Sequence, residues 1–356
     1  MSFWRNQLAG PTDPAQDAAW EAPPARKGFF TDTSICIGCK ACEVACKEWN
    51  AIPEDGLSML ATSYDNTGSL GASTWRHVAF IEQTGERIGQ AREAGRQLVE
   101  LGMPSLRTTH AGADRPLTGS VDLPHGSHAA PMDVTTGEAG LGTAGLDVGS
   151  AGAETPVNGA APDFRWLMES DVCKHCTHAA CLDVCPTGAL FRTEFGTVVV
   201  QSDVCNGCGY CVPACPFGVI ERREGDDTVK NAGIAQKCTL CYDRLRDDQM
   251  PACAQACPTT SIKFGDLDAL RSSAQERVDR LHELGYTEAR LYGGNPEDGV
   301  GGTGSVFLLL DEPEVYGLPP DPKVTTADLP DMFRKAGFAG LTMLGLAAAS
   351  FLGRRR

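Results

Sequence analysis

The sequence is short of positive charge and of the motifs that usually reveal a catalytic or exported protein. Its 31 Lys and Arg stand against 46 Asp and Glu, a formal net charge of −15. Non-specific nucleic-acid binding needs Lys and Arg for phosphate contacts, so we expect no nucleic-acid partner. The first residues, Met1 to Gln7, lack the charged and then apolar pattern of a signal peptide. We therefore expect a chain that stays in the cytoplasm, or one exported folded by a partner that carries the signal.

Motifs for nucleotide binding and nucleophilic catalysis are also missing. The run Gly299–Gly304 (GVGGTG) lacks the GxGxxG spacing after a clear strand and is interpreted as a turn. No arrangement of residues suggests a Ser-His-Asp triad. The chain is therefore predicted to have no catalytic site of its own.

What the sequence has is cysteine, 16 in all, and these are clustered. Four lie between Cys36 and Cys46, and the other twelve lie between Cys173 and Cys257. A disulfide framework would space its bridges through the fold, so clustering indicates metal binding. The cysteines form four groups: group one is Cys36, Cys39, Cys42 and Cys46; group two is Cys173, Cys176, Cys181 and Cys185; group three is Cys205, Cys208, Cys211 and Cys215; group four is Cys238, Cys241, Cys253 and Cys257.

The spacing within the groups favours iron–sulfur clusters. In CxxCxxC a tight loop brings three thiolates to three irons of one cubane, and the fourth Cys, three residues on, points away. In two-cluster ferredoxins that fourth Cys binds the other cluster. Pro186, Pro216 and Pro258 follow the fourth Cys of three groups, whereas Lys47 follows it in group one. Zinc sites use pairs of CxxC and rarely this spacing, which leaves a zinc-binding structural protein as the alternative of a different class.

Exchanging the fourth Cys within pairs of groups predicts four [4Fe–4S] clusters. Groups two and three pair as neighbours, and groups one and four pair across the chain. The predicted ligand sets are set 1, Cys36, Cys39, Cys42 and Cys257; set 2, Cys46, Cys238, Cys241 and Cys253; set 3, Cys173, Cys176, Cys181 and Cys215; and set 4, Cys185, Cys205, Cys208 and Cys211.

Four such clusters with their thiolates would add a charge of roughly −8 to the chain. Burying that charge requires N–H donors and nearby cations. Candidates for the cations are Lys40, Lys47, Lys174, Lys237 and Arg244, although each could equally be an ordinary solvated side chain.

The predicted fold is α+β, with two packed bacterial dicluster ferredoxin-like modules built around clusters rather than around a large apolar core. A C-terminal transmembrane helix follows them. The expected divisions are an extended arm at 1–28, the first half of module one at 29–83, a Gly-rich insertion at 84–162, module two at 163–232, the completion of module one at 233–265, a helix, a strand and a Pro-rich tether at 266–330, and the anchor at 331–356.

The insertion at 84–162 has 14 Gly and no Cys, Phe, Tyr, Trp or Lys. It can bury little apolar surface, so we expect it to be largely irregular, with a short helix over Glu86–Leu101. His125 and His128 within it are interpreted as surface residues.

Apolar spacing outside the insertion predicts several regular elements. Strands are expected at Trp75–Glu82, up to Phe264, and at Ser305–Leu310. Between the last two, a helix capped by Asp266 and closed by Gly285 is expected.

The C-terminal segment Ala336–Leu352 has no charge, and basic residues lie on both sides of it. As a helix it would be about 26 Å long, close to the roughly 30 Å hydrocarbon core of a membrane. We predict a single-pass anchor, with a loose amphipathic tail as the alternative. Arg354, Arg355 and Arg356 favour a cytoplasmic C-terminus, which places the iron–sulfur domain outside the cytoplasm. The segment has no His, so it cannot bind haem.

Later parts of the chain carry a family resemblance. The Cys groups, the runs Gln275–Tyr286 (QERVDRLHELGY), Pro296–Gly304 (PEDGVGGTG) and Tyr316–Lys323 (YGLPPDPK), and the single membrane helix resemble the iron–sulfur (beta) subunit of formate dehydrogenase-N type enzymes. These belong to the four-cluster ferredoxin subunits of molybdopterin oxidoreductases. Nitrate reductase relatives typically replace one ligand with Trp, and this sequence does not.

The resemblance implies that a molybdenum- or tungsten-pterin catalytic (alpha) subunit oxidises formate. Electrons would then pass through the four clusters to a membrane cytochrome b (gamma) subunit and to quinone. Alternatives within the class are thiosulfate, polysulfide or dimethyl sulfoxide reductases and membrane-bound hydrogenases. The chain departs from its relatives in the long 84–162 segment, which we expect to cover part of the interface with the catalytic subunit.

Overall fold

The computed structural model shows a mixed α/β protein. Most of the N-terminal arm and most of the Gly-rich insertion, including His125 and His128, lie outside the described residues. Those residues are 18–54, 67–100, 164–226, 228–324, 326 and 329–353.

The regular elements lie in the following ranges. The strands are β1 Lys27–Asp32, β2 Arg76–Thr84, β3 Phe164–Val172, β4 Leu190–Arg192, β5 Val198–Val200, β6 Glu221–Arg222, β7 Ala235–Gln236, β8 Ile262–Asp266, β9 Arg290–Tyr292 and β10 Ser305–Leu309. The α-helices are α1 Ala41–Asn50, α2 Gly85–Glu100, α3 Ala180–Asp183, α4 Cys211–Ala214, α5 Tyr242–Arg246, α6 Ala252–Gln255, α7 Leu267–Glu283 and α8 Leu329–Gly353. Short 3-10 helices lie at Thr33–Ile35 and Pro313–Tyr316.

A four-stranded sheet in the order β8-β1-β10-β9 forms the centre of the fold. β1 and β10 are parallel, whereas the outer strands pair antiparallel to them. Helix α7 packs on this sheet through residues spaced three and four apart, which is the pattern of an amphipathic helix. These residues are Leu267, Leu270, Ala274, Val278 and Leu281, all buried.

The expectation that clusters would stand in place of a large apolar core is wrong. Phe29, Phe30 and Phe307 on the central sheet are fully buried, and they join the apolar face of α7 in one continuous core. Cys42, Cys173, Cys238 and Cys253 are buried members of that same core. The cysteine groups are therefore attached to a scaffold that is stabilised by ordinary apolar burial.

The strands β2 and β3 form a long antiparallel pair, from Arg76 opposite Val172 to Thr84 opposite Phe164. The strand predicted over Trp75–Glu82 is confirmed as β2. Helix α2 follows it directly and confirms the short helix predicted at the start of the insertion. Because Ile88 and Ala91 are buried and Thr287 Oγ1 donates to the carbonyl of Arg92 at 2.8 Å, α2 belongs to the packed domain.

Helix α7 begins and ends where the sequence indicates, although its cap differs. Asp266 occupies the N-cap position, but its side chain makes no capping hydrogen bond and pairs with Lys27 Nζ at 2.6 Å. Gly285 follows the helix with φ +89°, a left-handed conformation that glycine adopts at no steric cost. The strands predicted near Phe264 and at Ser305–Leu310 are confirmed as β8 and β10.

The Pro-rich segment after β10 is packed against the domain rather than extended as a tether. Tyr316 Oη accepts a hydrogen bond from the amide of Leu310 at 3.0 Å, and Tyr292 Oη donates to the carbonyl of Pro319 at 2.7 Å. Leu318 and Val324 are buried. The segment therefore carries the chain across the surface to the start of α8.

Helix α8 is 25 residues long, and the apolar side chains described on it are exposed. In the described part of the chain, none of the helices combines the length and the apolar character needed to cross a membrane. The predicted membrane-spanning anchor is therefore not confirmed.

Candidate metal centres

The sixteen cysteines are free thiols that the fold gathers from distant parts of the chain. After burial, the largest influences on the pKa of Cys46 are Cys238, Cys253 and Cys241, and all three raise it. Burial, partly offset by the Gly38 amide, likewise raises the pKa of Cys36 to about 12, with contributions from Cys42, Cys257 and Cys39. Groups one and four thus face each other.

The second half of the cysteines shows the same arrangement. Burial is the main cause that raises the pKa of Cys176, and further contributions come from Cys215, Cys173 and Cys181. A cavity is lined by these four residues, and a second cavity is lined by Cys185, Cys205, Cys208 and Cys211. These neighbours coincide with the four sets expected from exchanging the fourth Cys, and iron ligation by each set stays a prediction.

A shared backbone conformation shapes the first loop of every group. The residue before the second Cys is left-handed in all four: Gly38 (φ +64°), His175 (φ +44°), Gly207 (φ +70°) and Leu240 (φ +59°). This turn directs the amide of Leu240 at the sulfur of Cys238, at 3.3 Å. Non-glycine residues in this region carry strain, which marks the loops as constrained by function.

Amides also surround the fourth Cys of groups two and three. Burial raises the pKa of Cys185, but hydrogen bonds from the Leu190 amide and from Thr187 outweigh it and lower the pKa overall. The amides of Val219, Phe217 and Gly218 act in the same direction on Cys215, where burial prevails. Converging N–H groups of this kind suit an anionic thiolate bound to iron.

Buried cations lie beside the cysteines and supply a further test of fit. Lys174 and Lys237 are each 1% exposed, and both line the cavity of set 3. Lys174 Nζ pairs with Asp171, whereas Lys237 Nζ donates to the carbonyls of Val198 and Cys238. Lys174 already has the Asp171 carboxylate, whereas Lys237 donates only to carbonyl oxygens in these contacts. A buried ammonium such as that of Lys237 requires negative charge nearby, and a cluster with its thiolates would provide it. The residues present therefore fit [4Fe–4S] clusters.

The other three predicted cations line neither of these two cavities. Lys40 pairs with Glu43 at 3.3 Å, and Lys47 is partly exposed. Arg244 donates to Gln255 Oε1 at 2.5 Å and to the carbonyl of Met250.

Two arginines and one serine near the thiols were missed by the sequence analysis. Arg76 and Ser170 lie on β2 and β3 beside Cys42, and Arg192 Nη2 donates to the carbonyl of Cys176 at 3.0 Å. Arg76 and Ser170 are brought to Cys42 by the pairing of β2 with β3. The alternation of polar and apolar residues in β2 and β3 does not reveal this contact, because both faces of these strands are partly buried.

The Gly299–Gly304 run is a turn, as interpreted, and it covers the loop of group two. The carbonyls of Gly302 and Val300 accept hydrogen bonds from the amides of Thr177 and His178 at 3.0 and 2.8 Å. A Cβ at Gly301 would lie 2.3 Å from the His178 ring. The glycine-rich sequence is thus needed for close approach of two backbones.

The four sets are neighbours in the order 1, 2, 3, 4, and we call this succession the line of sets. Cys253 of set 2 raises the pKa of Cys42 in set 1, and Cys173 of set 3 raises the pKa of Cys238 in set 2. Cys211 of set 4 likewise raises the pKa of Cys181 in set 3. The two exposed cysteines are Cys39 in set 1 and Cys208 in set 4. The line therefore reaches the surface at both ends, and all four cysteines of set 2 are buried.

Among the described residues, no three His, Cys, Asp or Glu side chains are grouped so that they could bind one metal ion. A [4Fe–4S] cluster does not require such a group, since its four thiolates bind four different irons.

Comparison with known proteins identifies the type of site. Residues 164–267 match a 4Fe-4S dicluster domain. The iron–sulfur subunit of the nitrate-inducible formate dehydrogenase of Escherichia coli K12 is 33% identical over 320 residues, covering 89% of this chain and 79% of the relative. The formate dehydrogenase-O iron–sulfur subunit of the same organism is 31% identical over 323 residues, covering 89% and 78%.

A third relative, the formate dehydrogenase iron–sulfur subunit of Haemophilus influenzae, is 32% identical over 298 residues, covering 82% of this chain and 68% of the relative. The likeness extends over most of each chain and includes the region of the cysteine groups. It confirms the resemblance seen in the sequence. This chain belongs to the family of formate dehydrogenase iron–sulfur subunits, whose dicluster domain binds [4Fe–4S] clusters.

Proposed function

We propose that this chain is the non-catalytic electron-transfer subunit of a membrane-bound formate dehydrogenase and holds four [4Fe–4S] clusters through its sixteen cysteines. The observation that carries the proposal is the line of four cysteine sets with one exposed Cys at each end, Cys39 and Cys208. When bound, the clusters supply one-electron carriers. The chain's own residues hold them in sequence and bury the four ligands of set 2.

The position of the C-terminal segment indicates which end of the line of sets faces the membrane. Thr326 Oγ1 donates to Asp183 Oδ2 at 2.5 Å, and Val324 packs with Ala180 and Ala214. Helix α8 thus begins beside groups two and three, which contribute sets 3 and 4. We infer that the Cys208 end faces the membrane cytochrome b subunit. The Cys39 end then faces the molybdenum- or tungsten-pterin catalytic subunit.

Apolar side chains at both ends suit these two contacts. Tyr210, next to Cys208, is 62% exposed, and Val44, one turn after Cys39, is 60% exposed. Exposed aromatic and aliphatic side chains beside a redox centre are suited to a protein interface.

We also propose that α8 anchors the complex in the cell membrane once it lies against its partner and lipid. The support is the uncharged run Ala336–Leu352 together with the exposure of its apolar side chains. Those side chains include Phe338, Leu341, Met343, Leu344, Leu346 and Phe351. Truncation after residue 328 should release the iron–sulfur domain from washed membranes, whereas retention would show that another contact holds it.

Purification of the tagged chain under anaerobic conditions tests the proposed function. Mass spectrometry should identify a pterin-dependent formate-oxidising subunit and a cytochrome b. This chain should contribute about sixteen irons and sixteen sulfides, four of each per cluster. A hydrogenase large subunit or a different pterin enzyme would favour the alternatives within the class. Zinc without sulfide would establish the structural alternative and exclude electron transfer.

The Gly-rich insertion is proposed to cover part of the interface with the catalytic subunit. Helix α2 is packed on the domain, so the test should remove only residues 102–160. Because α2 is about 24 Å long and the chain must return to Phe164, a Gly/Ser linker of about 12 residues should replace them. We expect this variant to lose catalytic subunit during purification while keeping its iron. Full retention and full activity would refute the interface role.

A further inference from the structure

A buried arginine lies between the first two cysteine sets. Arg76 opens β2 and is 1% exposed, and its guanidinium carbon lies 4.8 Å from the centre of the Phe29 ring. Its Nη1 donates to Ser170 Oγ at 2.9 Å and to the Ser170 carbonyl at 3.1 Å. Ser170 Oγ in turn lies 3.2 Å from Cys42 Sγ. One side chain is thus connected to a predicted cluster ligand through a single hydroxyl.

Thiols of both sets lie near the Arg76 guanidinium. Burial by itself lowers the pKa of Arg76, but Cys253, Cys42, Cys238 and Cys46 outweigh it and raise the pKa above its usual value. Cys42 belongs to set 1, and the other three belong to set 2. In return, Arg76 counteracts the effect of burial on the pKa of Cys42 and of Cys253.

Arg76 differs from a structural arginine on the same strand pair. Arg165 on β3 is also buried, but it pairs with Glu288 at 2.7 Å and donates to Gln83 and to the Leu310 carbonyl. Among the described residues, no carboxylate forms an ion pair with Arg76, whose hydrogen bonds go to Ser170 and to the thiol of Cys253. A buried guanidinium without a carboxylate, bonded toward a thiol of set 2 and through Ser170 toward a thiol of set 1, is suited to an anionic cluster.

We propose that Arg76, acting with Ser170, sets the reduction potentials of the first two clusters. This inference rests on the proposed function, because it requires clusters in sets 1 and 2. Each reduction adds one electron, which comes from formate oxidation on the catalytic subunit, and it forms or breaks no bond and moves no proton. The added negative charge is stabilised by the guanidinium between the two sets. The Ser170 hydroxyl, donating to the Cys42 thiolate, adds a stabilisation that acts on cluster 1 alone.

The test is an anaerobic redox titration of the purified complex, followed by EPR. In Arg76→Gln we expect the equilibrium constant for reduction to fall at least tenfold at clusters 1 and 2, which is about 59 mV for one electron. Clusters 3 and 4 should be unchanged. Ser170→Ala should lower the potential of cluster 1 only. Arg76→Lys keeps the charge, so its reduction potentials at clusters 1 and 2 should lie close to those of the wild type.

Arg165→Gln is the matched control, because it removes a buried arginine from the same strand pair without touching a cysteine set. Unchanged potentials in Arg76→Gln, or equal shifts at all four clusters, would refute the inference. If Arg76→Gln fails to assemble, Ser170→Ala tests the same hydrogen-bonded pair, since Arg76 keeps its bond to the backbone carbonyl of residue 170. An unchanged potential of cluster 1 in that variant would then refute the inference. Absence of iron and sulfide from the purified wild-type complex would instead contradict the proposed function itself.

Discussion

Cys238 lies beside Cys173, and this proximity joins the two halves of the cysteine array. After burial, Cys173 is the strongest influence raising the pKa of Cys238. Cys238 belongs to group four and Cys173 to group two, so the sets built from groups one and four continue directly into those built from groups two and three. The line of four sets depends on this one junction. The buried ammonium of Lys237 lies beside it and donates to the Cys238 carbonyl.

The exchange of fourth cysteines between groups gives a first prediction. Cys257→Ser should alter the EPR signal of the cluster that also uses Cys36, because the two thiols face each other. Cys46→Ser should alter the cluster that uses Cys238 and Cys253. Each variant serves as the control for the other. If Cys257→Ser changes only the signal assigned to Cys238, the groups bind their clusters without exchange.

A second prediction concerns the left-handed glycines of the cysteine loops. Gly207 and Gly188 have nearly the same φ, +70° and +68°, but a Cβ at Gly207 would lie 2.3 Å from the Gly233 carbonyl oxygen, while one at Gly188 meets nothing within 4 Å. In both alanine variants backbone strain destabilises the folded state by about 1 kcal/mol, and Gly207→Ala adds a steric clash with the Gly233 carbonyl. Anaerobic thermal unfolding should show the lower midpoint and the earlier iron loss in Gly207→Ala. Equal midpoints would contradict the collision.

A third prediction follows from Glu169, a fully buried carboxyl on β3. Burial and then Asp171 raise the pKa of Glu169 well above its usual 4.5, although Lys174 lowers it. Neither carboxyl oxygen has a hydrogen-bond partner among the described residues. Burial therefore favours the protonated form of Glu169 in the folded chain.

The sign of the effect on stability follows from proton counts. Between pH 4.5 and the raised pKa, the folded chain holds a proton that the unfolded chain has lost, so the Glu169 contribution to stability falls as the pH rises. Glu169→Gln should remove this dependence. Its unfolding midpoint relative to wild type should be higher at pH 8 than at pH 5. A constant difference across this range would show that Glu169 is ionised in the folded chain.

Local spacing in the sequence predicts how the thiols of the site are grouped. Two-residue steps between cysteines, with a fourth Cys three or more residues on, predict which thiols share a loop, and the ferredoxin rule predicts which one leaves it. Likewise, three- and four-residue apolar steps predict α7, because a helix periodicity is visible within one segment.

Long-range pairing could not be predicted in this way. The parallel pairing of β1 with β10 joins Phe29 to Ser305, and no local pattern encodes that register. Arg76 and Ser170 reach Cys42 only because β2 and β3 pair across the insertion. The apolar core was missed for the same reason, since its residues come from strands and a helix far apart in the chain.

Transfer of electrons from formate along all four sets to the membrane is the central claim, and haem reduction tests it most directly. The double variant Cys205→Ala/Cys208→Ala should prevent assembly of the cluster at the exposed set 4 end, in a complex whose three subunits still co-purify. With formate added anaerobically, EPR should show reduced clusters in sets 1 to 3, while the absorbance of the cytochrome b haem stays that of the oxidised form. Haem reduction at the wild-type rate would contradict the account.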